Sequence, residues 1–260
     1  MSLSDDIALI AALADAAGGA IRPYWRTEFG LESKDDATPV TLADRAAEAA
    51  IRKLLAAERP RDGIIGEEYG EERADASRVW VIDPIDGTTS FVAGRPIFGT
   101  LIALLVDGWP VLGSIDQPIL GERWIGGAGH PTTFNGSTAK TRACRELKDA
   151  ILATTSPNAF PAHDAEHFMA LAAKTAHRRL IWGGDCYNYA LLASGHIDLV
   201  VEAGLKLHDF AALVPVVEGA GGHMCDWAGE PLRADSDGRV IAIGDPARLE
   251  DVLDALACNH

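Results

Sequence analysis

The segment at residues 83–89, Asp-Pro-Ile-Asp-Gly-Thr-Thr, constrains this chain more than any other part of its sequence. It follows the apolar run Val79–Ile82, which predicts a short buried strand. Because a proline has no N–H and fixes its own φ, we expect the strand to stop at Asp83-Pro84 and the chain to turn sharply there. The turn would place the carboxylates of Asp83 and Asp86 on one side, with the carbonyl oxygen of Ile85 between them.

Oxygen atoms that converge from so short a stretch suit a hard divalent cation, and Mg²⁺ is the natural choice. Gly87 lets backbone amides approach an anion closely, and a helix that begins after it would direct its positive dipole end at that anion. The same segment can therefore hold both a metal and a phosphate group. The alternative is an ordinary turn followed by a capped helix.

Three further acidic positions are candidates for the same site. Glu67 follows a β-like apolar run, a position that is also typical of a solvated strand edge. Asp209 opens a predicted helix and could be its N-cap. Asp44 stands three residues after Thr41, which is the spacing of a capping box. Each position is ordinary alone, and their combination with residues 83–89 favours a shared metal site.

The charge balance argues against nucleic acid as a partner. The chain carries 38 acidic and 23 basic residues, a formal net charge of −15. Such a surface repels a polyanion unless a basic stripe overrides it, and the densest basic pair is only Arg178-Arg179. Clustered carboxylates also tolerate one another only when cations neutralise them.

Cysteine, histidine and apolar patterns narrow the class of protein further. The cysteines are scattered and the eight histidines show no ligand spacing, so we expect no disulfide framework and no structural zinc site, and surface or structural roles for the histidines. The run Ile97–Val106 is too short to span a bilayer, and no apolar run led by a basic residue opens the chain. These features favour a cytoplasmic protein with no membrane partner. The cysteines are Cys144, Cys186, Cys225 and Cys258.

The patterning predicts two unlike halves. Helices are predicted at 5–25 and 42–58, and consecutive turns, with Asp107-Gly108 as the clearest hairpin signal, favour an antiparallel sheet in the first half. From about residue 150 strands and helices alternate, which indicates an α/β unit. One of its helices, at 209–220, should kink at Pro215. We place the boundary between subdomains 1–145 and 146–260.

The acidic positions lie within stretches that resemble the inositol monophosphatase family. The stretches occur in family order and span most of the chain. They are Lys34–Asp44, Gly66–Glu68, Asp83–Phe91, His208-Asp209 and Glu218–Gly222. The resemblance implies an α+β fold, a layered αβαβα sandwich, and a Mg²⁺-dependent phosphatase that acts on a small phosphate monoester. It also implies two or three Mg²⁺ ions, with Mn²⁺ as a substitute, and a homodimer.

The resemblance also implies a role for each acidic position. The metal ligands would be Glu67, Asp83, the Ile85 carbonyl, Asp86 and Asp209. Asp44 and Thr88 would orient or deprotonate the attacking water, with Glu67 also contributing to catalysis. A threonine hydroxyl relays a proton only if an acceptor such as Asp44 lies behind it. Substrate contacts would come from Gly87, Thr88 and Asp209.

Two departures from the inositol-cleaving pattern resemble the histidinol-phosphate phosphatase branch. Residues 183–189 read Gly-Gly-Asp-Cys-Tyr-Asn-Tyr where a Gly-Ser-Ala-Ala-like stretch is usual, and His208 replaces the common Trp before the Asp. Histidinol phosphate carries an ammonium and an imidazole, and Asp185 could pair with either cation. Glu202 is a second candidate for the amine, and Asn188 could add a hydrogen bond. Alternatively, Asp185 caps the following helix and Asn188 serves structure.

The favoured function is therefore hydrolysis of L-histidinol phosphate to L-histidinol and phosphate, a step of histidine biosynthesis. myo-Inositol monophosphate is the main alternative substrate, followed by fructose bisphosphate and a 3′-phosphonucleotide. A different class of function is a catalytically silent, metal-dependent binding subunit. That class predicts the loss of a metal ligand or of Thr88, and none of these residues is lost.

Overall fold

A computed structural model describes residues 3–27, 31–33, 39–175 and 179–257 of the protein. For residues 31–33, 39–41 and 162 the description is confined to the backbone. The Lys34–Thr38 part of the first family-like stretch, Arg178 and Cys258 lie outside the described residues, and so does the side chain of Thr41. The capping box between Thr41 and Asp44 therefore stays a prediction.

The described chain forms eight α-helices and fifteen strands, besides short 3-10 turns. The helices are α1 Leu3–Ile21, α2 Leu42–Glu58, α3 Thr88–Val92, α4 Ala162–Lys174, α5 Asp185–Ala193, α6 Leu207–Phe210, α7 Leu213–Gly219 and α8 Leu249–Leu256. The strands of the first half are β1 Leu31–Ser33, β2 Pro39–Thr41, β3 Gly63–Gly66, β4 Gly70–Glu72, β5 Arg78–Asp86, β6 Gly99–Val106, β7 Trp109–Gln117, β8 Glu122–Gly127, β9 His130–Phe134 and β10 Ser137–Thr138. Those of the second half are β11 Leu152–Thr154, β12 Leu180–Trp182, β13 Leu199–Glu202, β14 His223–Cys225 and β15 Val240–Ile243.

The first half contains an eight-stranded sheet in the order β10-β9-β8-β7-β6-β5-β3-β4. All its neighbours are antiparallel except β3 and β5, which run parallel. The predicted hairpin at Asp107-Gly108 is confirmed, because both residues have positive φ, 50° and 83°, as a type I′ turn requires. The parallel pairing of β3 with β5 was not predicted. It brings the carboxyl ends of these two strands to the same edge of the sheet.

The second half contains a five-stranded sheet in the order β12-β11-β13-β15-β14. Strands β12, β11 and β13 are parallel and are joined through α4 and α5, as the alternation of strands and helices predicts. Strand β15 is antiparallel to both β13 and β14. The predicted α/β arrangement is therefore confirmed for β12, β11 and β13, whereas β15 and β14 at the other side of the sheet are antiparallel. The predicted boundary at 145/146 falls between β10 and β11 and stays a prediction.

The layers of the molecule follow from three apolar cores. Helices α1 and α2 pack on one face of the eight-stranded sheet. Helices α5 and α7 fill the space between its other face and the five-stranded sheet. Helices α4 and α8 cover the outer face of the five-stranded sheet. The order helix, sheet, helix, sheet, helix is the predicted αβαβα sandwich.

Helix α1 has the length and composition of a membrane span, since Leu3–Tyr24 has a mean hydropathy of 1.2 over its most apolar window. In the structure its apolar face is a core face. Ile10, Leu13 and Ala17 are fully buried against α2 and the eight-stranded sheet. This is the arrangement of a core helix.

Two sequence expectations are wrong at the level of elements. Strand β5 does not stop at Asp83-Pro84 but continues to Asp86, because its register against β6 shifts between Asp83 and Asp86. Residues in a bulge are not paired in the ladder, so the missing N–H of Pro84 leaves no ladder hydrogen bond unmade. The predicted helix at 209–220 is two helices, α6 and α7, which break at residues 211–212 rather than at Pro215. The break precedes Pro215 because its ring excludes the carbonyl of Ala211, four residues earlier, from a helical bond.

Candidate metal and phosphate site

The parallel strands β3 and β5 bring Glu67 and Asp83 to one edge of the sheet. Gly66 pairs with Ile82 in the parallel register. The next residues, Glu67 and Asp83, therefore lie side by side. The backbone N–H of Glu67 donates to the carbonyl of Ile82 over 3.1 Å, which fixes the chain as it leaves β3. Glu67 is therefore held at the same edge of the sheet as Asp83.

The bulge in β5 places Asp86 beside Asp83. The carbonyl of Pro84 accepts a hydrogen bond of 2.8 Å from the Thr100 hydroxyl on β6, which satisfies backbone that the bulge removes from the ladder. The Asp83 carboxylate accepts from the N–H of Ile85 over 3.0 Å. The carboxylates of Asp83 and Asp86 are thus brought together by a bulge within β5 and not by the end of the strand.

Asp209 reaches the same edge from the second half of the chain. It is the third residue of α6, which packs against β5 and β6. Its carboxylate accepts from the N–H of Lys206 over 2.7 Å, so it binds back to the N-cap residue. The interpretation of Asp209 as the N-cap itself is wrong, because Lys206 occupies that position.

The carboxylates converge closely enough to share cations. One oxygen from each of Asp83, Asp86 and Asp209 lies within 4.8 Å of the other two. A second group with the same spacing joins Glu67 and Asp83 to a ring nitrogen of His208. Asp83 belongs to both groups, so adjoining ligand sets share it. Either group of ligand atoms is close enough together to hold a divalent ion.

The electrostatics of the cluster favour a cation. The pKa of Asp83 is raised well above its ordinary value, first by burial and then by the charges of Glu67, Asp86, Asp209 and Asp44. Burial also raises the pKa of Asp86, and the charges of Asp185 and Asp209 add to it. A bound cation favours the ionised carboxylates and reverses these shifts. The donor set of carboxylate oxygens fits Mg²⁺.

Thr88, Gly87 and Ile85 form the turn that follows the metal carboxylates. Gly87 has φ of 85° and is the N-cap of α3, which begins at Thr88. The Thr88 hydroxyl donates to the carbonyl of Ile85 over 3.1 Å. Asp44, on α2, is 1% exposed, and its charge is among those that act on Asp83. The relay between Thr88 and Asp44 and the Ile85 metal bond stay predictions.

A cavity of about 200 Å³ opens beside the metal carboxylates. Asp86, Asp209, Asp185 and Glu202 all line it. The Asp185 carboxylate accepts from the Ser90 hydroxyl over 3.0 Å, and a methyl group added at Gly87 would lie 2.7 Å from its oxygen. Gly87 is therefore needed both for its positive φ and for the close approach of Asp185. The interpretation of Asp185 as a helix cap is wrong, because Gly184 is the N-cap of α5.

Glu202 is the last residue of β13 and its side chain is buried. Its two oxygens accept from the Thr154 hydroxyl over 3.0 Å and from the Thr155 N–H over 2.6 Å. Burial raises its pKa to about 7, although these hydrogen bonds oppose the shift. Near neutral pH, Glu202 can therefore hold a proton or a negative charge, depending on what lies beside it.

Asn188 has a different environment from the other candidate substrate residues. Its amide donates to the carbonyl of Gly183 over 3.1 Å and is buried, which supports the turn before α5. Among the described residues that line the cavity, Asn188 does not appear. These contacts are those of a structural residue, and a substrate contact for Asn188 stays a prediction.

Two residues of the site were missed in the sequence. The histidine spacing predicts a surface or structural role for His208, whereas its ring lies with Glu67 and Asp83, 3.5 Å from the Asp209 carboxylate. No motif in the sequence marks Tyr189, yet it lines the cavity. Tyr189 stands four residues after Asp185, and this helical spacing was the signal that could have identified it.

Comparison with known proteins places this geometry in a family. The model of the inositol monophosphatase family matches residues 3–259. The chain belongs to the inositol monophosphatase family. It is accordingly a phosphatase, a phosphoric monoester hydrolase, and enzymes of this family use divalent metals such as Mg²⁺.

Individual relatives agree along most of the chain. A chloroplastic bifunctional phosphatase from Arabidopsis thaliana is 48% identical over 94% of this chain and 73% of its own length. A histidinol-phosphatase from Chlorobaculum parvum is 37% identical over 92% of this chain and 93% of its own. The structure of an inositol monophosphatase from Zymomonas mobilis is similar over 99% of both chains, with a TM-score of 0.91 and 53% identity.

Proposed function

We propose that this phosphatase hydrolyses L-histidinol phosphate to L-histidinol and inorganic phosphate. The observation that carries the proposal is the cavity beside the metal carboxylates. Two further acids, the half-buried Asp185 and the buried Glu202, line it where the alcohol part of a bound ester would lie. A cationic alcohol can pair with these two carboxylates, whereas a neutral polyol offers them hydrogen bonds alone.

The names of several relatives support this substrate. The chain is 37% identical to the histidinol-phosphatase of Chlorobaculum parvum and 36% identical to that of Mycobacterium tuberculosis, the latter over 86% of this chain. Histidinol carries an ammonium group and an imidazole ring, both of which can bind carboxylates. Pairing inside a buried cavity is stronger than on the surface, where solvent reduces it to ~1 kcal/mol or less.

The proposed ligands of two or three Mg²⁺ ions are Glu67, Asp83, the carbonyl of Ile85, Asp86 and Asp209. Bound cations neutralise the phosphate charge and acidify water. Glu67 would also help orient the attacking water. Thr88 would pass the proton of that water to Asp44, while Gly87 and the start of α3 hold the phosphate oxygens. The P–O bond to histidinol breaks as the bond to the water oxygen forms, and the leaving alcohol takes up a proton.

A substrate panel tests the proposal directly. We expect kcat/KM with Mg²⁺ to be highest for L-histidinol phosphate among four esters, the others being myo-inositol 1-phosphate, fructose 1,6-bisphosphate and a 3′-phosphonucleotide. Asp185→Asn should lower the value for L-histidinol phosphate more than for the inositol ester, because only the former offers a cation. A value for the inositol ester equal to or above that for L-histidinol phosphate would reject the proposal.

Hydrolysis of myo-inositol 1-phosphate is the second candidate. The Zymomonas mobilis structure, at 53% identity, is described as an inositol monophosphatase, and a Mycolicibacterium smegmatis inositol-1-monophosphatase is 32% identical over 81% of this chain. A cytoplasmic location and a homodimer are further proposals that rest on composition and on the family resemblance, respectively.

A further inference from the structure

We propose that Tyr189 and Glu202 form a subsite for the imidazole ring of the substrate, in which the Tyr189 hydroxyl donates to the bare ring nitrogen and Glu202 accepts from the ring N–H. The inference rests on the proposed function and adds to it the part of the substrate that each side chain contacts. It concerns binding of the alcohol group and involves no change in the metal chemistry.

The Tyr189 hydroxyl is the observation that calls for a ligand. The side chain is 2% exposed and its ring belongs to the core between the two sheets. Tyr189 also lines the cavity of about 200 Å³ together with Glu202. Within the described part of the chain the buried hydroxyl has no hydrogen-bond partner. Leaving a buried hydroxyl unpaired is costly, so a bound group that pairs with it gains affinity.

The hydroxyl can act as a donor throughout the neutral range. Burial raises the pKa of Tyr189 well above its ordinary value, and the charge of Glu202 is the next largest cause. The nearby carboxylates already accept protein donors: Glu202 from Thr154 and Thr155, and Asp86 from the N–H of Cys186 over 2.6 Å. The hydroxyl proton therefore remains available for a group that enters the cavity.

A neutral imidazole fits this pair of side chains. Its ring offers one N–H donor and one bare nitrogen acceptor, whereas an ammonium group offers donors alone. A tyrosine hydroxyl beside a carboxylate offers the complementary donor and acceptor. The ammonium group is then left for Asp185, whose carboxylate lies against Gly87 near the phosphate end of the site.

The test compares two esters that differ in the ring. L-Alaninol phosphate keeps the phosphate and the ammonium group of L-histidinol phosphate but has no imidazole. We expect Tyr189→Phe to lower kcat/KM for L-histidinol phosphate by about tenfold or more, and to leave that for L-alaninol phosphate within about twofold, because one hydrogen bond is lost. Tyr187→Phe is the matched control, since the Tyr187 hydroxyl donates to Glu122 outside this cavity and its loss should not change the ratio.

A second measurement keeps the test independent of turnover. Product inhibition by L-histidinol, measured against whichever phosphate ester is hydrolysed, should weaken by a similar factor in Tyr189→Phe. Equal losses for both esters, or unchanged inhibition by L-histidinol, would overturn the subsite. If wild-type protein prefers the inositol ester, the proposed function fails and the subsite with it. If it prefers L-histidinol phosphate and Tyr189→Phe matches wild type, the subsite alone fails.

Discussion

The buried acids Asp83 and Glu202 show how neighbours decide what a carboxyl group does. Burial is the largest cause of a raised pKa in both. Around Asp83 the next causes are four other carboxylates, and a cation relieves their mutual repulsion while all of them stay ionised. Around Glu202 they are hydrogen bonds that favour the ionised form. Asp83 therefore suits a metal, whereas Glu202 suits a small polar or cationic group.

The raised pKa of Glu202 has a measurable effect on stability. Its folded value of about 7 lies above the ordinary value of 4.5, so the folded protein holds the proton more tightly than the unfolded chain. The resulting stabilisation is fully present below pH 4.5 and is lost as pH rises through 7. In urea unfolding at pH 4.5 and pH 8, Glu202→Gln should show a smaller fall in the free energy of unfolding than wild type, by up to ~3 kcal/mol.

The metal carboxylates also make the free energy of unfolding depend on pH. Their contribution is common to wild type and Glu202→Gln, so it cancels in that comparison. The exposed Glu230→Gln variant is the control and should keep the full slope of wild type. Equal slopes for wild type and Glu202→Gln would contradict the account of Glu202.

Single residues differ in how far the sequence reveals them. Glu67, Asp83, Asp86 and Asp209 lie in recognisable stretches, so their place in one site could be predicted. For Tyr189 the sequence offers only its spacing of four residues from Asp185, because the feature that matters, a buried hydroxyl without a hydrogen-bond partner among the described residues, is a property of packing. The same holds for His208, whose ring meets Glu67 and Asp83 only after α6 docks on β5.

At the scale of elements, a pair of glycines allows the second half to pack on the first. Gly113 on β7 and Gly126 on β8 stand directly opposite each other. A methyl group added at Gly113 would lie 2.1 Å from the carbonyl oxygen of Ala212, and one at Gly126 would lie 2.2 Å from that of Pro215. The two glycines thus form a groove for the first turn of α7 and the residue before it.

Filling that groove should destabilise the protein. We expect Gly113→Ala to lower the free energy of unfolding by about 1–3 kcal/mol, because the methyl group overlaps backbone that cannot move without shifting α7. In Gly19→Ala, on α1, the added methyl group has no atom within 4 Å, and helix propensity should stabilise the protein by about 0.5–1 kcal/mol. Chemical denaturation of both variants gives the comparison. A Gly113→Ala variant as stable as Gly19→Ala would show that the groove is not tightly packed.

The sequence predicted which elements exist better than where they end. Hydrophobic periodicity placed α2 at residues 42–58, as observed. It ended β5 too early because Pro84 is unfavourable in a regular ladder, and only the bulge opposite Thr100 makes it acceptable. It also missed β12, a three-residue strand whose partner β11 lies far away in the chain.

At the scale of the whole molecule, the candidate site is assembled from both halves of the sandwich. The first half supplies Glu67, Asp83 and Asp86, and the second supplies Asp209, Asp185 and Glu202. The core between the two sheets contains α5 and α7, so the cavity and the carboxylates of Asp86 and Asp209 that line it belong to one packed unit. A net charge of −15 adds to the need for cations at this site.

The central claim is that this cluster of carboxylates holds the divalent ions on which hydrolysis depends. Its most direct test is Mg²⁺-dependent phosphate release by wild type, Asp86→Asn and Asp107→Asn. Asp107→Asn is the matched control, because asparagine before Gly108 is compatible with the type I′ turn. This turn lies at the opposite end of β6 from the residues that pair with Asp83 and Asp86. Asp86→Asn should lose at least about 100-fold in kcat while it remains folded, and Asp107→Asn should stay within about twofold of wild type. Phosphate release by Asp86→Asn at the wild-type rate would contradict the claim.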